Sequence, residues 1–500
     1  IFICLDGADR DLILKWTNLD LLPNLKKLLQ KGAFGLTEDP MGINGCHWPT
    51  FLSGVSPVTH GRYWSQQIQP GTYEIGPTSF EWEPFWKVLS QAGCKMALID
   101  PPESRICEGL NGIQVLEKYK PAPNEPRLHT YPSALSTEIE AKFGDIVIGS
   151  PRLCGRELKE IRQFCQNLTQ TIENKKRLSS YFLNQDNWDF FLTSFRESHW
   201  VGHQCWHLHD PNHPEYDPKV VGEIGNPIQD IYIKIDSAIG EILKQAPSEA
   251  TVFVFASTSM ESNYTGVHLL DEILLRLENP KTATENEGMN KSINFLKQFK
   301  FLRQLKKSIQ KRTRKQKDQK KQWSNRLVHR KFFQVPISEA FGGIRLNLVG
   351  REPQGLIQPG QEYEAVCESL CQDLRALVNE ETGEPLIRNI LKSSDIYQGD
   401  YPIGYPDLLF EWNRNTSISS VYSQKIGTIK KVYWDSRTGD HKGGGLFVVT
   451  GSGIKPGQVE QRSSIVDFAP TVASILGVEL PKTDGKSIAE AIDRETSLSI

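Results

Sequence analysis

Residues 22–35, LPNLKKLLQKGAFG, and residues 38–63, EDPMGINGCHWPTFLSGVSPVTHGRY, are the stretch from which the fold is read. The first is a helical pattern that stops at Gly32, a residue suited to a helix C-terminus. Upstream of it, IFICLDG at residues 1–7 is an almost wholly apolar run that ends on an acid and a glycine. A continuous run of that length is the pattern of a central strand covered on both faces. Runs of the same kind recur at Met96 to Ile99, Phe190 to Thr193, Thr251 to Ala256 and Leu446 to Thr450. Helical patterns fall between them, at Phe85 to Ala92 and Ile228 to Leu243. Strand and helix in alternation predict an α/β protein, a mostly parallel sheet with helices on both faces. Ligands of such sheets bind beyond the carboxyl ends of the strands, where Asp6 and the pair Ser257–Thr258 fall.

Composition narrows the function classes. The 500 residues carry a net charge of −2, with 38% hydrophobic and 24% charged residues. That balance is ordinary for a globular chain and argues against bulk attraction to nucleic acid or to an anionic membrane. No run approaches the roughly 18 apolar residues of a membrane span. The opening IFICLD reads as a strand and not as a signal peptide. Nine cysteines without a short-spaced framework predict a reducing, cytoplasmic setting. Cys367 and Cys371, four apart, read as core on one helical face. From Lys297 to Lys331 the chain is strongly basic, with Asp318 as its one acid. That stretch predicts either a solvated helical insertion or an arm that docks an acidic partner. Specific nucleic-acid binding is disfavoured, because Trp323 is the one aromatic of its most basic part. Three segments follow: 1–265, the first part of a core; 266–330, the basic insertion; and 331–500, the rest of the core with a late histidine motif.

The order of landmarks carries a resemblance. A strand ending LDG, a helix with LPNL and KGA, and a loop and helix ending Ser56-Pro57 and His60-Gly61 resemble the type I phosphodiesterase and nucleotide pyrophosphatase branch of the alkaline phosphatase superfamily. The segment 344–364, IRLNLVGREPQGLIQPGQEYE, resembles the family's late core. GDHKGGGLFVVTGSGIKPG at 439–457 resembles its final histidine motif and strand, and SSIVDFAPTVASILGVELPKTDGKSI its closing pattern. The resemblance implies an alkaline-phosphatase-like fold with inserted cap segments. It also implies hydrolysis or group transfer on phospho- or sulfo-type anions by two metals about 4 Å apart.

The family's site residues change here. Its nucleophile position, ten residues before Gly54, falls on Asn44, and an amide is a poor nucleophile and a weak metal ligand. Its D-x-x-x-H becomes His199-Trp200-Val201-Gly202-His203, with histidine in the place of the acid. Its SDHG falls on VFVFASTSM, so Ser257 and Thr258 stand where Asp and His would be. One metal position then keeps Asp6 alone. The other becomes His199, His203 and His441, a set suited to one catalytic zinc, with iron also compatible. On this reading Asp6 is a general base and Asn44 a donor to a developing oxyanion. The residues at 257 and 258 are expected to border a cavity.

Two other readings stay open at this point: a metal-free enzyme with Ser257, Thr258 or Cys46 as nucleophile, and an inactive relative that binds an anionic ligand or partner. The substrate implied is a small or carrier-borne anion. Glu197 is either a carboxylate orienting an imidazole or an ordinary loop acid. His60 reads as part of a structural turn. His207, His209 and His213 read as loop residues, and Trp64, Trp82, Trp86, Trp200 and Trp206 as pocket lining or core.

Overall fold

The computed structural model describes residues 1–39, 45–78, 82–117, 127–279, 326–396, 404–433, 435–459 and 462–488. Most of the basic stretch from Lys297 to Lys331 and the position of Asn44 lie outside them. By its internal contacts the chain divides into two units. The first comprises Ile1–Arg62, Phe80–Asn263 and Ser436–Ile500, and the second Tyr63–Ser79 and Tyr264–Asp435.

The first unit is built on a ten-stranded sheet. Its strands are β1 (Phe2–Leu5), β2 (Ala33–Glu38), β3 (Met96–Ile99), β4 (Gly112–Glu117), β5 (Leu128–Tyr131), β6 (Phe190–Phe195) and β7 (Val252–Ala256). After a two-stranded antiparallel ribbon of β8 (Ser259–Ser262) and β9 (Gly439–Lys442), the sheet is completed by β10 (Gly445–Thr450), β11 (Gly457–Gln458) and β12 (Ser463–Ser464). The spatial order is β11–β2–β10–β7–β1–β6–β3–β4–β5, with β12 also on β2. The block β7–β1–β6–β3–β4 is parallel, while β10 and β5 run against their neighbours. The α/β architecture expected from the sequence, a mostly parallel sheet with helices on both faces, is present.

The near-continuous apolar runs have a direct cause. Side chains alternate across a strand, so Ile3 and Leu5 join one apolar layer while Phe2 and Cys4 join the other. The same split holds for Ala97 and Ile99 against Met96 and Leu98. Helices cover both faces. On the first lie α1 (Arg10–Asn18), α2 (Pro23–Lys31), α4 (Leu158–Leu183), α5 (Glu197–His209) and α6 (Pro227–Leu243), through residues such as Trp16, Leu25, Leu168, Val201 and Ile235. Phe51 and Leu52, from the short helix α3 (His47–Ser53), cover the second with Phe85, Trp86 and Phe468.

The second unit carries a four-stranded sheet, Phe332–Val335, Phe341–Leu346, Leu408–Trp412 and Ile387–Lys392, with helices Val267–Glu278 and Gln361–Arg375 sharing its core. Cys367 and Cys371 are buried there, as read from their spacing. All nine cysteines are free thiols. Among the described residues no helix is long and apolar enough to cross a membrane.

One sequence expectation is corrected. His207 and His209 are not loop residues, because α5 runs unbroken from Glu197 through His209. The helix stops at Asp210, whose extended backbone precedes Pro211, and proline disfavours helical geometry in the residue before it. His213 alone lies in the loop beyond.

Candidate metal centre

The site forms at the carboxyl end of the central strands. Asp6 follows β1, α5 begins two residues after β6, and Ser257 and Thr258 link β7 to β8. Two glycines let the pieces approach. Gly7 has a left-handed φ of 57°, and a Cβ there would lie 3.1 Å from the Cα of His199. A Cβ on Gly439 would lie 2.3 Å from the Gly202 carbonyl, so only glycine lets β9 lie against α5 at this level.

That close approach gathers three imidazoles. His199 and His203 are one helical turn apart on α5, and His441 comes from β9 opposite Met260 of β8. One nitrogen from each of His199, His203 and His441 lies within 4.8 Å of the others, a cluster that could hold one ion. His203 is buried, and the other two are half-buried.

Two of the rings are oriented by hydrogen bonds. His203 Nδ1 is 2.7 Å from the Gly439 carbonyl oxygen. His199 Nδ1 is 2.7 Å from Asp6 Oδ2. Both partners can only accept, so each Nδ1 carries the proton and donates. In the neutral ring the lone pair then lies on Nε2, the state a metal ligand requires. Burial, then His199 and Arg437, hold His203 well below the usual histidine range. Burial with His199, His203 and His47 does the same for His441. In their neutral forms the three imidazoles suit a divalent cation with borderline-soft nitrogen chemistry.

Asp6 is spent inside the protein. Its Oδ1 accepts from the Trp48 indole at 2.9 Å, and its Oδ2 from His199. Burial opposes its charge, but His199 beside it, the two hydrogen bonds and His441 hold the carboxyl well below the usual range. Its backbone is pinned as well, with N bonded to the Phe195 carbonyl and O to the Ser198 hydroxyl. A carboxylate so placed orients His199 and is a weak base.

The neighbouring positions are closed. Ser257 and Thr258 are 1% and 2% exposed, so they are packed and do not border a cavity. The Thr258 hydroxyl donates to the Lys442 carbonyl at 2.9 Å. Ser257 Oγ has no hydrogen-bond partner among the described residues. The Cys46 thiol is pushed up to about 12 by burial and by Asp39, which leaves little thiolate near neutrality. Glu197 touches no imidazole in a hydrogen bond: it pairs with Lys175 at 3.1 Å and accepts from Ser150 at 2.9 Å. Lys175 also meets Asp100 at 2.9 Å, and Arg196 binds the same carboxylate at 2.9 and 3.1 Å. This buried network fixes the start of α5. His60 is structural, bonded to Thr50 and to the Arg62 amide. His207, His209 and His213 are bonded to Thr438, Asn226 and the Glu215 amide.

Sequence reading missed Trp48 as the partner of Asp6, and the pair His47 Nε2 and Asp39 Oδ1 at 2.7 Å. The available signal was the sequence CHWPT itself, where polar and aromatic groups open a helix beside the place of the family's nucleophile.

The comparisons agree with this architecture. The family model described as type I phosphodiesterase / nucleotide pyrophosphatase matches residues 1–340. Phosphonoacetate hydrolase from Sinorhizobium meliloti 1021, solved with phosphonoacetate, is similar at a TM-score of 0.52 and 12% identity, over 95% of both chains. Murine ectonucleotide pyrophosphatase / phosphodiesterase 5 is similar at a TM-score of 0.50 and 10% identity, over 97% of both chains. At such identities the likeness is one of fold. No curated protein sequence matches the chain.

Proposed function

The chain belongs to the type I phosphodiesterase / nucleotide pyrophosphatase family, and from that membership we propose that it is a phosphoester hydrolase working with one divalent cation on His199, His203 and His441. Zinc is the cation the three imidazoles favour. Such a cation supplies Lewis acidity toward a phosphoryl oxygen and toward water. The single observation that carries the reading is the convergence of three nitrogens, with the rings of His199 and His203 oriented from behind by Asp6 and Gly439.

The chain's own groups then divide the work. His203 and His441 stay neutral because burial disfavours their charged forms. Asp6 holds the proton-bearing side of His199, and Trp48 holds Asp6. The metal-free reading finds less support, since Thr258 is committed to a carbonyl and the Cys46 thiol is far from ionising. At the family's second metal position Asp6 carries a hydrogen bond on each oxygen, and Ser257 and Thr258 stand where the family has Asp and His.

The test is elemental analysis of protein purified without chelators, alongside His199→Ala and His441→Ala, with hydrolysis of bis(4-nitrophenyl) phosphate as the activity. The expected result is about one metal per chain, lost in both variants together with hydrolysis. A parent protein that takes up no zinc or iron would sink the proposal.

A further inference from the structure

Three thiols meet where α4 packs against α5, within the apolar layer that also holds Trp16 and Val201. Cys205 sits on α5, two residues beyond His203, and is wholly buried. Its thiol is in hydrogen-bonding reach of two others, Cys165 on α4 and Cys154 in the loop before that helix. The loop is held against α5 by bonds of its own. The Cys154 amide donates to Gln204 Oε1 at 3.2 Å, and Arg156 Nη1 donates to the Gln204 carbonyl at 3.2 Å. Cys154 is 8% exposed, and its thiol donates to the Gly155 carbonyl at 3.2 Å.

Cys165 differs from its two neighbours in access. It is half-buried and lines an open cleft of about 920 Å³ between α4 and α6, together with Thr169, Ile231 and Lys234. It therefore has the cleft on one side and a buried thiol on the other.

Its acidity sets it apart as well. The hydrogen bond with Cys205 holds the Cys165 thiol below the ordinary thiol range, against the opposing effects of burial and Asp230. Burial instead pushes up the Cys4, Cys46, Cys94, Cys107, Cys367 and Cys371 thiols. A thiol within reach of solvent, with a second thiol at hand, is the arrangement of a redox-sensitive cysteine.

We propose that Cys165 and Cys205 form an oxidisable pair. Cys165 meets a peroxide through the cleft between α4 and α6, and Cys205 resolves the product. The Cys165 thiolate sulfur attacks one peroxide oxygen, the O–O bond breaks, and hydroxide leaves as Cys165 becomes a sulfenic acid. The Cys205 sulfur then attacks the Cys165 sulfur. An S–S bond forms, the S–O bond breaks, and the hydroxyl leaves with the Cys205 proton as water. The peroxide takes up the two electrons that the two thiols give, and α4 becomes tied to α5 beside His203. No step draws on the histidine centre.

The experiment treats the reduced chain with hydrogen peroxide under native conditions and then blocks the remaining thiols with iodoacetamide in denaturant. Peptides are mapped by mass spectrometry without reductant. The expected product joins the Cys165 and Cys205 peptides and reverts with dithiothreitol, while Cys94, the other half-buried thiol, stays alkylated. In Cys205→Ser, dimedone is expected to trap a sulfenic acid at Cys165. In Cys165→Ser, the Cys205 peptide is expected to enter a disulfide at least about tenfold more slowly. Recovery of Cys165 and Cys205 from the treated parent as alkylated thiols overturns the proposal, and so does a bond from Cys205 to Cys154 in its place. Undiminished oxidation of Cys205 in Cys165→Ser overturns Cys165 as the point of entry. The parent map requires no substitution, so a variant that failed to fold would leave the test intact.

Discussion

The two sides of the centre rise from the same strand ends and treat their polar atoms in opposite ways. On one side His199 and His203 turn their protonated nitrogens toward Asp6 and Gly439, which leaves a lone pair on each ring aimed away. On the other side the polar atoms are mostly consumed. Asp6 serves Trp48 and His199, and Thr258 serves the Lys442 carbonyl. The difference teaches that a metal site is a set of uncommitted lone pairs and not a set of residue types. Asp6 is a good ligand by chemistry and an engaged one by geometry.

The strongest way to break this contrast is His203→Ala, which removes a ligand nitrogen and leaves the Gly439 carbonyl without its donor. Metal uptake is expected to vanish, with helix content by circular dichroism unchanged. Retention of stoichiometric metal would show that the histidines do not form the site.

Asp6→Asn tests the orienting role. Loss of a carboxylate behind a ligating imidazole typically weakens metal binding by about 10–100-fold, and that drop is expected in a chelator competition. An unchanged affinity would mean that Asp6 does not hold His199.

Thr258→His restores the family's residue on the closed side. With the position 2% exposed and its hydroxyl in use, the larger ring is expected to destabilise the fold by about 1–3 kcal/mol, read from denaturant unfolding. A stable variant that gained a second metal would erase the contrast.

Histidines that serve packing alone give the smallest effect. Burial first, with Arg62 for His60 and Arg156 for His207, lowers both to about 3. Their folded values lie below the unfolded value of about 6.5, so their contribution is complete above that pH and is lost as pH falls. Between about pH 6.5 and 5.5 each should cost the fold at most about 1.4 kcal/mol, measured by chemical denaturation at both pH values. A flat stability over that window would show that these rings are not held neutral.

The sheet was legible because a strand buried on both faces is apolar at most positions: β1 and β3 are so throughout, and β6 is so apart from the buried Thr193 and Ser194. His199 and His203 were legible as a pair one turn apart, and His441 through the resemblance of residues 439–457 to the family's final histidine motif. The reach of α5 through His209 was not read, although the Asp210-Pro211 step marks its end. Histidine and tryptophan are indifferent helix formers, so the run HQCWHLH gives a weak local signal. The indole behind Asp6 was invisible for a different reason: Trp48 lies 42 positions further along the chain.

By itself the sequence determined the layer structure and the residue types at the strand ends, since both follow from local pattern and motif order. The tertiary structure decided which atoms of those residues remain free to bind. Hydrogen-bond direction depends on how closely separate segments approach, and here Gly7 against His199 and Gly439 against Gly202 set that approach between segments more than 190 residues apart.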